Sequence, residues 1–201
     1  LKLRDAVREA TIPDGEGDTR PLVVRDTLLA SAGALPPADK PLWILPAGAL
    51  GLVLGGLLLG LGAWGRRAVA GRVLLGFLGF VFAAAVGVAG TVMLGLWFFT
   101  DHDSAAWNEG VLQATPLHFA LAVLLLPLVF GRPPGALAVR LARWLSAIAL
   151  LGLLLKAVPL FSQANLELIA LLLPIQLGLA AAVARAGLGA PAPETSPVDR
   201  G

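Results

Sequence analysis

Cysteine is absent from the chain, which excludes disulfides, a thiolate nucleophile and cysteine-type zinc sites. Charge is scarce as well. Charged residues make up 14% and hydrophobic ones 57% of the 201 residues, where soluble domains carry roughly 25% and 45–50%. With a mean hydropathy of +0.83, the composition reads as an integral membrane protein. Lysine occurs three times, at Lys2, Lys40 and Lys156. The sequence pI of about 9.7 rests on a net charge of only +2. No basic patch interleaved with aromatics is present, so nucleic acid is not an expected partner. The chain opens at Leu1 with neither a methionine nor the charged start and apolar core of a signal peptide, so it is expected to be a piece of a longer protein.

Residues 1–41 hold six basic and seven acidic side chains and are broken by I-P-D-G-E-G-D and A-L-P-P-A-D-K-P. These breaks leave room for two short helices at most, near residues 3–10 and 21–32. The segment is expected to be the end of an upstream extracytoplasmic domain plus a linker. Residues 42–64 are 23 in number and carry no charge, enough to cross a hydrocarbon core of roughly 30 Å. Within them Gly51/Gly55 and Gly56/Gly60 stand four apart, the spacing that lets helices approach closely in lipid.

Further apolar runs follow at 73–99, at 117–130 or from 111, at 144–160, and from about 168 to Arg185. The predicted fold is an all-α bundle of five transmembrane helices over 42–185, ending in a Pro-rich tail, 186–201, expected to be disordered. Arginines at 66, 67, 72, 132, 140, 143, 185 and 200 fall after the odd-numbered spans, and none follows the second or fourth. The positive-inside rule then puts the N-terminus outside and the C-terminus in the cytoplasm. In a bacterium this is the cytoplasmic membrane.

The longest polar interruption, residues 97–117, contains Asp101, His102, Asp103 and Glu109 and no Lys or Arg. With Gln163, Asn165 and Glu167 between the last two spans it forms a polar rim on the outer face, which Lys156 can reach from the fourth span. Three kinds of chemistry compete for this rim. A metal site from Asp101, His102, Asp103 and His118 lacks H-x-x-x-H spacing. A centre of Ser104 with His102 lacks a G-x-S-x-G elbow. Interfacial caps suit the residues well: Asp103 or Ser104 can cap a short helix, and Thr115-Pro116 is a good helix start, making Pro116 structural along with Gly51 and Gly55. No metal or cofactor is expected.

The run Thr100-Asp101-His102, then Asn108, Val111-Leu112 and Pro116-Leu117 resembles the T-D-H, N-x-N-L-L, P-L pattern of the membrane domain of Lnb-type bacterial lipoprotein N-acyltransferases. Gly110 stands where that pattern has its second Asn, and Thr115 where an Asn often precedes the Pro. The resemblance covers residues 42–185. It implies a five-helix platform for transfer of a fatty acyl group from phospholipid to a lipoprotein's N-terminal cysteine, with the catalytic Cys and His in an upstream domain. Asp101, His102, Asn108 and Glu109 would then be the functional loop. The competing class is a non-enzymatic membrane anchor or assembly module. A transporter would be expected to carry ionisable residues in mid-membrane, and only Lys156 comes near.

Overall fold

The computed structural model describes residues 9–13, 19–23, 43–99, 108–161 and 164–188. The chain divides into two units, Leu1–Pro41 and Leu42–Gly201. In the first, β1 (Thr11–Pro13) and β2 (Thr19–Pro21) pair antiparallel, Ile12 opposite Arg20. Pro21 thus closes a strand instead of opening the expected helix. Of the two helices expected here, all but residues 9–10 and 21–23 lie outside the described residues.

The second unit contains five helices long and apolar enough to cross a membrane, the architecture of a multi-pass membrane protein. They are α1 (Ile44–Gly65), α2 (Val69–Phe99), α3 (Leu117–Val129, preceded by a 3-10 turn at Glu109–Leu112), α4 (Ala136–Leu155) and α5 (Leu166–Gly187). The outer surface is as apolar as the core. Leu45, Leu52, Val53, Phe77 and Trp144 point outward, while Gly51, Gly55, Gly62, Gly76, Ala83, Ala138, Ala142 and Ala149 are buried. Leu75, Leu121, Leu125, Leu128, Leu145 and Leu179 fill the core between the helices, and the small residues let the backbones approach closely, as helices do in lipid.

The interface of α1 with α5 shows this directly. A Cβ on Gly51 would lie 2.5 Å from the Leu171 carbonyl oxygen, one on Gly55 2.4 Å from that of Pro174, and one on Gly62 2.5 Å from Ala182 Cα. Pro174 lacks an N–H, so the Ala170 carbonyl loses its helical donor, and this oxygen lies 2.7 Å from the same built Cβ on Gly51. Gly56 and Gly60, with identical spacing, meet no atom within 4 Å.

Boundaries move in two places. The fourth helix was expected over 144–160 and runs eight residues earlier, over Ala136–Leu155. The break at Pro133-Pro134-Gly135 ends where the helix begins, and Arg140 and Arg143 are accommodated in its first turns with exposed side chains that reach the boundary. Similarly α2 starts at Val69 and includes Arg72. Its 31 residues span about 46 Å at 1.5 Å per residue, more than a bilayer core. One end of the bundle gathers the arginines: a Cβ on Gly131 would touch Val69, and one on Gly187 would lie 3.7 Å from Pro134. The tail expected from 186 is outside the described residues after 188.

The third span is discontinuous. Helix α3 alone has 13 residues, about 20 Å, and the rest of the crossing is the 3-10 turn and the irregular segment Gln113–Pro116. Irregular backbone is tolerated at such depth only when buried in protein with its polar groups met. Here Gln113 and Ala114 are 0% and 1% exposed. Their N–H groups both donate to the Gly110 carbonyl at 2.9 Å. Two distant glycines make the room: a Cβ on Gly90 of α2 would lie 2.2 Å from the Ala114 oxygen, and one on Gly152 of α4 2.6 Å from Gln113 Nε2.

Candidate functional site at the Asn108–Leu112 turn

The 3-10 turn exists because Asn108 caps it. The Asn108 Oδ1 accepts from Gly110 N–H at 2.9 Å, as a short polar side chain does at the start of a helix. Gly110 lets this oxygen come close, since a Cβ there would lie 2.8 Å from it and displace the capping side chain. Asn108 is therefore a cap, the structural role weighed for this loop, and at the same time part of a cleft wall.

The cleft has a volume of about 600 Å³ and is lined by Trp97, Asn108, Glu109, Val111, Leu112, Leu160 and Phe161. That lies within the range of about 300–1,000 Å³ usual for small-molecule sites. Among the described residues its walls are five apolar or aromatic side chains and two polar ones, so this lining is amphipathic. At its polar side Lys156 Nζ donates to Glu109 Oε2. The two residues, 14% and 12% exposed, join the turn to the end of α4. Lys156 caps α4 and does not lie a turn inside it. A salt bridge this far out of water is stronger than a surface pair, though each ion gives up hydration to make it.

Beneath the turn lies a polar layer in which His118 and Thr115, read from the sequence as a metal-ligand candidate and a helix start, join Gln113, Ser146 and Gln176. Gln176 Nε2 of α5 donates to the Gln113 carbonyl at 2.7 Å, and Gln113 Nε2 donates to the Ala149 carbonyl of α4 at 2.9 Å. Ser146 Oγ donates to the carbonyls of Ala142 and Gln176. His118, 1% exposed, sits 3.0 Å through Nδ1 from the Thr115 carbonyl; a carbonyl only accepts, so Nδ1 carries the proton and Nε2 presents a lone pair. Its Nε2, with Gln113 Oε1, Gln176 Oε1 and Thr115 Oγ1, is buried without a partner. Gln176 and Ser146 were visible only as lone polar letters in apolar runs.

No protein-family model, curated protein or solved structure matches the chain.

Of the residues expected at the site, Asn108 and Glu109 come together on the cleft. Asp101, His102, Asp103, Ser104 and Gln163 lie outside the described residues. Asn165 precedes α5 with both amide atoms buried and unpartnered, and Glu167 sits in the first turn of that helix; neither lines the cleft. Pro116 immediately precedes α3. Among the described residues no three of His, Cys, Asp or Glu converge as metal ligands.

Proposed function

We propose that this chain is the membrane domain of a bacterial envelope acyltransferase similar to the Lnb-type lipoprotein N-acyltransferases, and that the cleft at the Asn108–Leu112 turn seats an acyl chain during transfer. The observation that carries the reading is the cleft's location. It is an amphipathic cavity formed by the same stretch, Asn108 to Leu112, that resembles the family motif. Trp97, Val111, Leu112, Leu160 and Phe161 suit a hydrocarbon tail. Asn108 and the Glu109–Lys156 pair suit a polar head or an amine near a water boundary, where hydrogen bonds and charges act more strongly than in bulk water.

The acyl donor would be phospholipid and the acceptor a lipoprotein's N-terminal cysteine. The nucleophile would be the thiol of an upstream extracytoplasmic domain, since this chain holds no cysteine. On this reading the cleft would lie on the outer face of the cytoplasmic membrane and the arginine end inside, an orientation supported by the positive-inside rule. Single cysteines at Ser104 and Gly135, in a background whose upstream thiol is replaced by serine, test that topology, because this chain holds no cysteine of its own and a Cβ at Gly135 meets no atom within 4 Å. A membrane-impermeant maleimide should label the first in intact cells and not the second. The reverse pattern rejects the orientation.

The activity is tested in cells expressing the full-length protein with His102→Ala, Asn108→Ala or Leu112→Trp, the last filling the cleft. Lipoprotein N-acylation, read by mass spectrometry of the lipopeptide, is expected to fall about ten-fold or more, a loss of about 1.4 kcal/mol in transition-state stabilisation, at near-normal membrane abundance. Acylation unchanged in all three variants would reduce the domain to an anchor or assembly module for another periplasmic domain.

A further inference from the structure

At the arginine end a second concavity runs between α4 and α5. It has a volume of about 460 Å³, and its walls include Arg143, Ala147 and Leu150 of α4 and Leu177, Ala181 and Ala184 of α5. The order of these residues along the two antiparallel helices is informative. From Arg143 the α4 wall proceeds to Leu150, seven residues or about 10 Å further into the bundle, and the α5 wall proceeds from Ala184 back to Leu177. The groove is therefore basic at its mouth and apolar along its length. Ser146 also borders it, but its hydroxyl is committed to the Ala142 and Gln176 carbonyls and so adds no polarity to the floor. Alanines instead of leucines make the hollow.

Two more arginines stand at the mouth by helical register. Arg140 is one turn before Arg143 on α4, and Arg185 is one turn beyond Ala181 on α5. All three are exposed. Among the described residues of this unit the only carboxylates are Glu109 and Glu167. Both belong to the opposite end of the bundle, so among the described residues the arginines have no acidic partner there. Guanidinium groups at a membrane boundary are best matched by phosphate, which they bind bidentately, and basic pockets between transmembrane helices are a recurrent way of holding anionic lipid head groups.

We propose that the α4–α5 groove binds one anionic phospholipid of the bilayer, its phosphate on Arg143 flanked by Arg140 and Arg185, and one acyl chain laid along Ala147, Leu150, Ala181 and Ala184. Such a lipid fills the seam between the helices that carry Lys156 and Gln176. It is a site separate from the cleft at the other end, and stands whether or not that cleft supports acyl transfer.

The test uses the full chain in nanodiscs of phosphatidylcholine containing phosphatidylglycerol, with retained lipid counted by native mass spectrometry after release into mild detergent. Wild type should retain one phosphatidylglycerol in preference to phosphatidylcholine. Arg143→Gln should lower that preference about ten-fold, while the double variant Arg66→Gln/Arg67→Gln, which removes more charge from the same end away from the groove, should leave it intact. Ala147→Leu/Ala181→Leu fills the groove at two exposed positions without touching charge, and should also abolish the retained lipid; it decides the matter if Arg143→Gln fails to fold. Equal loss in the Arg66/Arg67 control, or full retention in the groove-filled variant, would show attraction to the basic surface in general and overturn the site.

Discussion

Gly55→Leu is expected to release α1 from the bundle, whereas Gly56→Leu, the same change one residue along, should leave the fold intact. The difference follows from what each position faces. At Gly55 the first added carbon would lie 2.4 Å from the Pro174 carbonyl oxygen, and the contact is reciprocal, since a Cβ on Gly178 would lie 2.3 Å from the Gly55 oxygen. Backbone meets backbone, so no flexible side chain can swing aside. The α1 helix packs mainly on α5, and little else would hold it once that seam opens. Overpacking a core costs about 1–3 kcal/mol and occasionally more; with rigid backbone on both sides, about 3 kcal/mol or above is expected. Gly56 faces open space, and a leucine there adds one more side chain to the lipid-facing surface. Unfolding of the purified protein by SDS, followed by circular dichroism, measures both variants. Equal midpoints for the two would mean that glycine in α1 reflects membrane composition and not this packing.

The second large effect is expected at the ion pair between Lys156 and Glu109. Lys156→Met alone removes the ammonium and leaves a carboxylate 12% exposed, a much worse state than either the pair or no charge. Breaking a fully buried pair costs about 3–5 kcal/mol. With the residual exposure of both partners, about 2–3 kcal/mol is the expected loss after solvent screening. The double variant Lys156→Met/Glu109→Leu should recover most of it, because apolar replacement of both partners is often neutral. A double-mutant cycle on unfolding midpoints isolates the coupling, expected at about 1 kcal/mol or more. Additive losses would mean that the two side chains act independently. Because Glu109 also lines the cleft, lipoprotein acylation in the single variant should fall further than protein abundance does. Proportional loss would assign the pair to the fold alone.

The five spans were legible from the sequence because a chain in lipid must satisfy its own backbone, and this demand prints long uncharged runs into the sequence. The arginine spacing likewise told which connections share an end. Helix ends were less legible: Arg72, Arg140 and Arg143 read as loop residues, yet a long cationic side chain lets a helix start deeper in sequence while its head group stays at the boundary. Capping chemistry in this loop was read at Asp103 or Ser104, whereas the cap of the 3-10 turn is Asn108, whose place on a cleft was not legible either.

Tertiary structure alone decided the rest. Glu109 and Lys156 are 47 residues apart, and Gln113 and Gln176 are 63 apart; such pairings are not local and leave no periodic trace. The third span could have been one continuous helix from 109 to 129 on composition. It breaks because Gly90 on α2 and Gly152 on α4 leave hollows that receive Ala114 and Gln113, and Gln176 supplies the donor that an uninterrupted helix would not need. Gly51/Gly55 and Gly56/Gly60 have the same spacing in the same helix, and only the position of α5 makes one pair an interface and leaves the other facing outward.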